Sequence, residues 1–150
     1  MADAKIPGYV GKMLRVDLGS KKMSEEKLDE PTLKKWVGGA GLATKYLYDE
    51  VPPGVEWNDP RNRLIWTTGP LAGSGVSGAA TFNVTTKGPM TNQAGCSQAN
   101  GFFGAYLKFS GYDGLIFQGA SPKLVYVVIK EGNAEIRDAT HLAGKDVWEV

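Results

Sequence analysis

The 150-residue chain is 42% apolar and 22% charged, the balance of a globular protein and not of a disordered one. Its formal net charge of +1 gives no field to steer it toward nucleic acid or an anionic membrane surface, and its apolar runs are too short to span a bilayer. The single cysteine, Cys96, excludes an internal disulfide and an iron–sulfur cluster held wholly by this chain.

The opening, Met1-Ala2-Asp3-Ala4-Lys5-Ile6-Pro7, lacks the hydrophobic stretch of a secretory signal, so a cytoplasmic location is the expectation. Residues 13–18 alternate, with Leu14, Val16 and Leu18 opposed to Arg15 and Asp17, which predicts a half-buried strand. A polar turn at 19–22 leads to residues 23–28 as its hairpin partner. Asp29-Glu30-Pro31 has the composition of a helix start, with Asp29 as cap and Pro31 in the first turn. Leu33, Trp36 and Val37 then share a side. Gly38-Gly39-Ala40-Gly41 interrupts the helix, and residues 42–50 resume it until Pro52-Pro53-Gly54 ends it.

Short strands are expected at 64–68 and 82–86, separated by a loop of small residues at 69–80. Residues 88–100 read as an open stretch leading into a short helix near 101–109. Strands follow at 114–118 and 124–130, and a Gly132-Asn133 turn leads into a last strand at 134–137. The stretch 124–130 is apolar on both faces and is expected centrally in a covered sheet. Residues 145–150 read as the first turns of a helix, starting near 144, that stops short. The fold class is therefore α+β: one domain over 1–150, with a mainly antiparallel sheet and packed helices.

Three segments carry candidate chemistry. Gly38-Gly39-Ala40-Gly41 combines close backbone approach with the free amides of a helix start, which attract phosphate. It lacks the spacing of a dinucleotide fingerprint and the lysine of a Walker loop, and a plain helix break is the other reading. The small-residue loop before Thr81 and Asn83 suits a planar ligand, another domain, or mere surface exposure. Gln98, Asn100 and Gly101 precede Phe102 and Phe103, either as ligand donors or as the cap of an ordinary packed helix. Cys96 reads as a small hydrophobe, and His141 has no partners for acid–base work. A small phosphate- or nucleotide-binding module and a non-catalytic assembly subunit both remain open at this stage.

The motifs taken together resemble the N-terminal domain of the aldehyde:ferredoxin oxidoreductase family. The resemblance is carried by Gly11-Lys12-Met13-Leu14-Arg15-Val16-Asp17-Leu18 and Trp36-Val37-Gly38-Gly39-Ala40-Gly41-Leu42-Ala43. It continues through Thr68-Gly69-Pro70-Leu71-Ala72-Gly73, Asn83-Val84-Thr85-Thr86-Lys87-Gly88-Pro89-Met90-Thr91 and Gly101-Phe102-Phe103-Gly104-Ala105. Leu107-Lys108-Phe109-Ser110-Gly111-Tyr112-Asp113 and Glu135-Ile136-Arg137-Asp138-Ala139 complete it. It implies a two-sheet saddle for a tungsten bis-pterin cofactor, with molybdenum as the alternative metal. The same resemblance implies a bridging Mg2+ and a [4Fe-4S] cluster held by helical domains outside this chain.

The implied cofactor-binding residues are Gly38, Gly39, Ala40, Gly41, Thr81, Asn83, Gln98, Ala99, Asn100 and Gly101, with the backbone oxygen of Gln98 toward the magnesium. Ala40 and Thr81 stand where many members carry arginine, which removes two bidentate phosphate donors. The implied activity interconverts aldehydes and carboxylic acids, or acts on a related aromatic acyl thioester. The resemblance also implies electron transfer to ferredoxin or a partner subunit, in a homo- or hetero-oligomer.

Overall fold

The computed structural model describes residues 6–150; the leader reading of residues 1–5 lies outside the described residues. Alternating residues form β1 (Lys12–Asp17), and a turn at 18–21 returns the chain as β2 (Lys22–Lys27). The carboxylate of Asp29 accepts the Thr32 amide at 2.8 Å and starts α1 (Glu30–Trp36), with Pro31 in its first turn. After Val37 and Gly38 the chain re-enters a helix as α2 (Gly39–Glu50). Two helices meeting at a glycine joint is thus the observed arrangement. The second begins earlier than the sequence implied, and Gly39, Ala40 and Gly41 are its first turn. A Cβ on Gly41 would lie 2.5 Å from the Trp36 carbonyl oxygen, so glycine is what lets the helix start this close to the end of α1.

Then come β3 (Leu64–Thr68), β4 (Phe82–Lys87), β5 (Ala94–Ala99), α3 (Phe103–Phe109), β6 (Gly114–Gln118), β7 (Val125–Lys130) and β8 (Asn133–Asp138). The stretch 88–100, read as open, contains β5. Its sequence Ala-Gly-Cys-Ser-Gln-Ala has little β-propensity, but an unbroken antiparallel register with β4, from Lys87↔Ala94 to Phe82↔Ala99, supplies the ladder that local preference does not.

Six strands form one sheet in the order β2-β1-β6-β3-β4-β5. Every neighbouring pair is antiparallel except β1–β6, which is parallel in the register Met13↔Gly114 to Asp17↔Gln118. Met13, Ile65 and Ile116 face one side and pack with Leu33 of α1 and Leu42, Ala43, Tyr46 and Leu47 of α2. Leu14, Val16 and Leu115 face the other side, with Leu107 of α3 and Tyr112. Each such buried aliphatic side chain contributes about 1.5–3 kcal/mol relative to exposure.

The hairpin β7–β8 is a separate two-stranded sheet, which corrects the expectation of a central strand at 124–130. Val127, Ile129, Ala134 and Ile136 pack against the second cluster, while β7 as a whole stays half-buried. A two-faced apolar pattern shows that a surface needs cover, not which element covers it. Between this hairpin, α3 and the outer face of the large sheet lies a groove of about 910 Å3, walled by Leu18, Trp66, Phe103, Phe117 and Val127 among others. The helix expected from 144 is not formed over the described residues. A 3-10 turn spans Thr140–Leu142, and the Asp146 carboxylate accepts the Trp148 amide at 2.8 Å and the Glu149 amide at 3.2 Å. The Glu149 amide also reaches the Asp146 carbonyl, three residues back, so the backbone closes as a turn.

The far end of α2 is held by charge. Glu50 accepts from both terminal nitrogens of the Arg15 guanidinium, at 2.6 and 2.8 Å, and from Arg63 Nε at 2.9 Å. Arg15 also reaches Glu26 of β2 at 2.5 Å. One forked cation therefore joins β1, β2 and α2. Burial pushes the Glu50 carboxyl up, but the bonds from Arg15 and Arg63 outweigh it and hold it below its ordinary 4.5.

Two outcomes follow from this packing. Ile116→Ala, at a fully buried site, is expected to lower the unfolding free energy by about 2–5 kcal/mol in urea denaturation. Because the folded-state pKa of Glu50 is depressed, its stabilisation is complete above its ordinary 4.5 and is lost as pH falls through the lower folded value. Glu50→Gln is expected to flatten the acid limb of a stability–pH profile below that point.

Candidate functional site at the glycine end of the sheet

The three candidate segments converge on one end of the large sheet. Thr67 near the end of β3 pairs with Asn83 near the start of β4, and Asn83 pairs with Gln98 near the end of β5. The N-terminus of α2 lies at the same end, where the Thr67 hydroxyl donates to the Gly39 carbonyl at 2.7 Å. Gly38 makes the approach possible, since a Cβ there would fall 2.5 Å from the Thr68 carbonyl oxygen. The first intrahelical bond of α2 runs from the Leu42 amide to the Gly38 carbonyl, and Gly38 offers no side-chain cap. The amides of Gly39, Ala40 and Gly41 thus have no helical partner, and the helix dipole adds positive potential at that point.

The other candidate residues sort into two environments. Gln98, Ala99, Asn100 and Gly101 are all exposed. The Thr81 hydroxyl donates to the Asn100 side-chain oxygen, tying the start of β4 to the segment after β5. Asn100 does not cap α3, whose N-cap position is Phe102 without a side-chain bond. Asn83 is 1% exposed. Its amide nitrogen donates to the Thr85 hydroxyl at 2.7 Å and its oxygen accepts from Cys96 Sγ at 2.7 Å, so its side chain is committed within the sheet. An aromatic cluster backs the site: Trp66 stacks on Phe82 with centroids 5.6 Å apart and meets Phe103 edge-on at 4.9 Å. That cluster anchors Phe82, next to Thr81, and Phe103, two residues after Gly101. His141 lies elsewhere, edge-on to Tyr126 at 6.5 Å.

One cluster here was not singled out in the sequence. Asp113, 1% exposed, accepts the amides of Val10 at 3.1 Å and Gly11 at 2.6 Å and pairs with Lys108 at 3.3 Å. Burial draws the Lys108 ammonium down in pKa, and the neighbouring carboxylate opposes that shift. The signal available was an acid and a lysine close together in an apolar stretch, which needs a partner if buried. Among the described residues, no group of three His, Cys, Asp or Glu side chains is placed to hold a metal ion. A cage of such side chains for a metal at this end would have to come from outside the described residues.

The family profile described as aldehyde ferredoxin oxidoreductase, N-terminal domain, matches residues 13–150. The chain belongs to that family. It is 42% identical over 143 residues to the tungsten-containing aldehyde ferredoxin oxidoreductase of Pyrococcus furiosus, covering 95% of this chain and 24% of that protein. The Thermococcus kodakarensis enzyme of the same description is equally similar, at 42% over 143 residues and the same shares of each chain. An aliphatic sulfonate oxidoreductase, WOR-like subunit, of Pyrococcus furiosus is 40% identical over 139 residues, covering 91% of this chain and 22% of that one. Among solved structures, the active-site complex BamBC of benzoyl coenzyme A reductase, in complex with 1,5-dienoyl-CoA, superposes with a TM-score of 0.92 at 39% identity. That match covers 95% of this chain and 22% of the other. This aldehyde ferredoxin oxidoreductase family domain therefore spans about a quarter of the length of its curated relatives. No helix among the described residues is long and apolar enough to cross a membrane.

The close approach of Gly38 to β3 gives a direct test of how the site is built. Gly38→Ala is expected to lower the unfolding free energy by about 1–3 kcal/mol, the usual cost of forcing extra atoms into a packed contact. Urea denaturation of the variant beside the parent reads this directly.

Proposed function

We propose that this chain is the N-terminal, cofactor-cradling part of a tungsten-dependent oxidoreductase that interconverts aldehydes and carboxylic acids. The observation that carries the reading is the set of amides at Gly39, Ala40 and Gly41 that precede the first intrahelical bond of α2, at the same end of the sheet as exposed Gln98, Ala99 and Asn100. This backbone-rich surface fits a phosphate-bearing pterin whose metal is held by its own dithiolenes. In this reading the α2 amides would take the anionic groups, Thr81 and Asn100 would border the pterin, and the Gln98 carbonyl would face the Mg2+. Gly101 lets the chain pass close to the rings, and Asn83 supports them from beneath. Ala40 and Thr81 offer no guanidinium, so anion binding at these two positions rests on amides and hydroxyls.

When bound, the tungsten (or molybdenum) centre supplies the two-electron chemistry by which an aldehyde and water give a carboxylic acid, two protons and two electrons. The chain's own residues bind and orient the cofactor and shape one wall of its site. A [4Fe-4S] cluster held by residues outside this chain would supply the electron path to ferredoxin or a partner subunit. The apolar groove beside β7–β8 and the exposed Phe102–Tyr106–Phe109 ladder give the remaining helical domains of such an enzyme a surface to cover. An aromatic acyl thioester is the second substrate class, supported by the likeness to the benzoyl coenzyme A reductase complex.

Elemental analysis of the full-length protein, purified without oxygen, tests the proposal. One tungsten or molybdenum per chain with about four irons, the count of one cubane cluster, is expected. A folded, fully assembled protein without either metal would overturn it.

A further inference from the structure

Buried Asp113 begins a closed circuit of contacts around the glycine joint with its carboxylate and ends it with its main-chain carbonyl. The carboxylate oxygens accept the amides of Val10 and Gly11, and Lys108 stands 3.3 Å away. Lys108 also donates to the Gly8 carbonyl and lies 5.3 Å from the centre of the Tyr9 ring. Segment 8–11 is thereby pinned as a strap across the end of the sheet. From that strap the Tyr9 hydroxyl donates to the Val37 carbonyl at 2.6 Å. Val37 has φ 62° and ψ −63°, a rare and strained γ-turn backbone closed by the Gly38 amide on the Trp36 carbonyl, and the next residue, Gly38, abuts the Thr68 carbonyl. Thr68 closes the circuit, since its amide and hydroxyl both donate to the Asp113 carbonyl at 3.0 Å.

We propose that Tyr9, Lys108 and Asp113 are positioning residues that clamp the Val37–Gly38 joint and so aim the Gly39–Gly41 amides at the bound cofactor. This rests on the reading of those amides as the cofactor's anion site. The circuit explains how a strained joint keeps one conformation. Its two backbone ends, at Val37 and at Thr68, are both referred to a single buried residue, so helix and sheet cannot shift independently. The Tyr9 hydroxyl links the strap to the joint, and its ring can be kept while that hydroxyl is removed.

The test uses the full-length protein, purified without oxygen, and its Tyr9→Phe variant. Hydrogen–deuterium exchange is followed at the amides of Val37, Gly38 and Leu42, which are bonded to Leu33, Trp36 and Gly38 carbonyls. Loss of one net hydrogen bond predicts about five-fold faster exchange there, with exchange in β1, β3 and β6 and the unfolding midpoint unchanged. Tungsten or molybdenum retained after dialysis is expected to fall in the variant relative to the parent. Unchanged exchange at the joint would overturn the clamp, as would faster exchange spread evenly with a lowered midpoint. Faster joint exchange with full metal retention would overturn the role in aiming the amides. A parent protein carrying no metal would sink the cofactor reading and with it the aim of the amides, while the exchange arm still decides whether the clamp exists. Asp113→Asn, which keeps the shape and removes the charge, is expected to accelerate exchange in segment 8–11 as well as at the joint.

Discussion

The parallel seam between β1 and β6 is the constraint on which the other elements depend. It joins residues 13–17 to residues 114–118 and attaches the β1–β2 hairpin to the rest of the sheet. Both cores form across it. Met13 and Ile116 point toward the helices, and Leu14, Val16 and Leu115 point toward the hairpin and α3. Asp113 sits at the entry to β6, and its amide donates to the Lys12 carbonyl at 2.8 Å. Without the seam, β1 would have only the polar β2 beside it, and neither core would close.

What the sequence made legible was local. The start of α1 followed from Asp29 and Pro31, because a cap and a first-turn proline act on their nearest neighbours. Residues 64–68 were legible as a strand for a similar reason, since Leu-Ile-Trp-Thr-Thr favours β-structure by itself. What was not legible came from pairing. The small residues of β5 form a strand only because β4 offers a ladder, and β7 lies in a separate hairpin because the cover for its faces is decided by other elements. The joint between α1 and α2 was visible as four residues rich in glycine, but its boundary moved because a Cβ-free backbone tolerates the first helical turn as readily as a break.

The candidate site was legible in the same uneven way. Glycine loops and exposed amides mark backbone chemistry, and the register of β3, β4 and β5 brings them together. The commitment of Asn83 to Thr85 and Cys96 could not be read, because it depends on which strand lies beside β4. Asp113 was present in the motif yet unread as a hub. A buried acid looks like any other until the amides that satisfy it are known.

The seam also governs how such a chain must be made. Its partners lie about a hundred positions apart, a separation that favours slow closure because the loop entropy is lost before any contact returns it. During synthesis β1 leaves the ribosome well before its parallel neighbour β6, which follows only after α3 has emerged. Until then Leu14 and Val16 lack Leu107, Tyr112 and Leu115, the buried partners of their face. That interval is when a chaperone, or a neighbouring nascent chain, has its chance at the first strand.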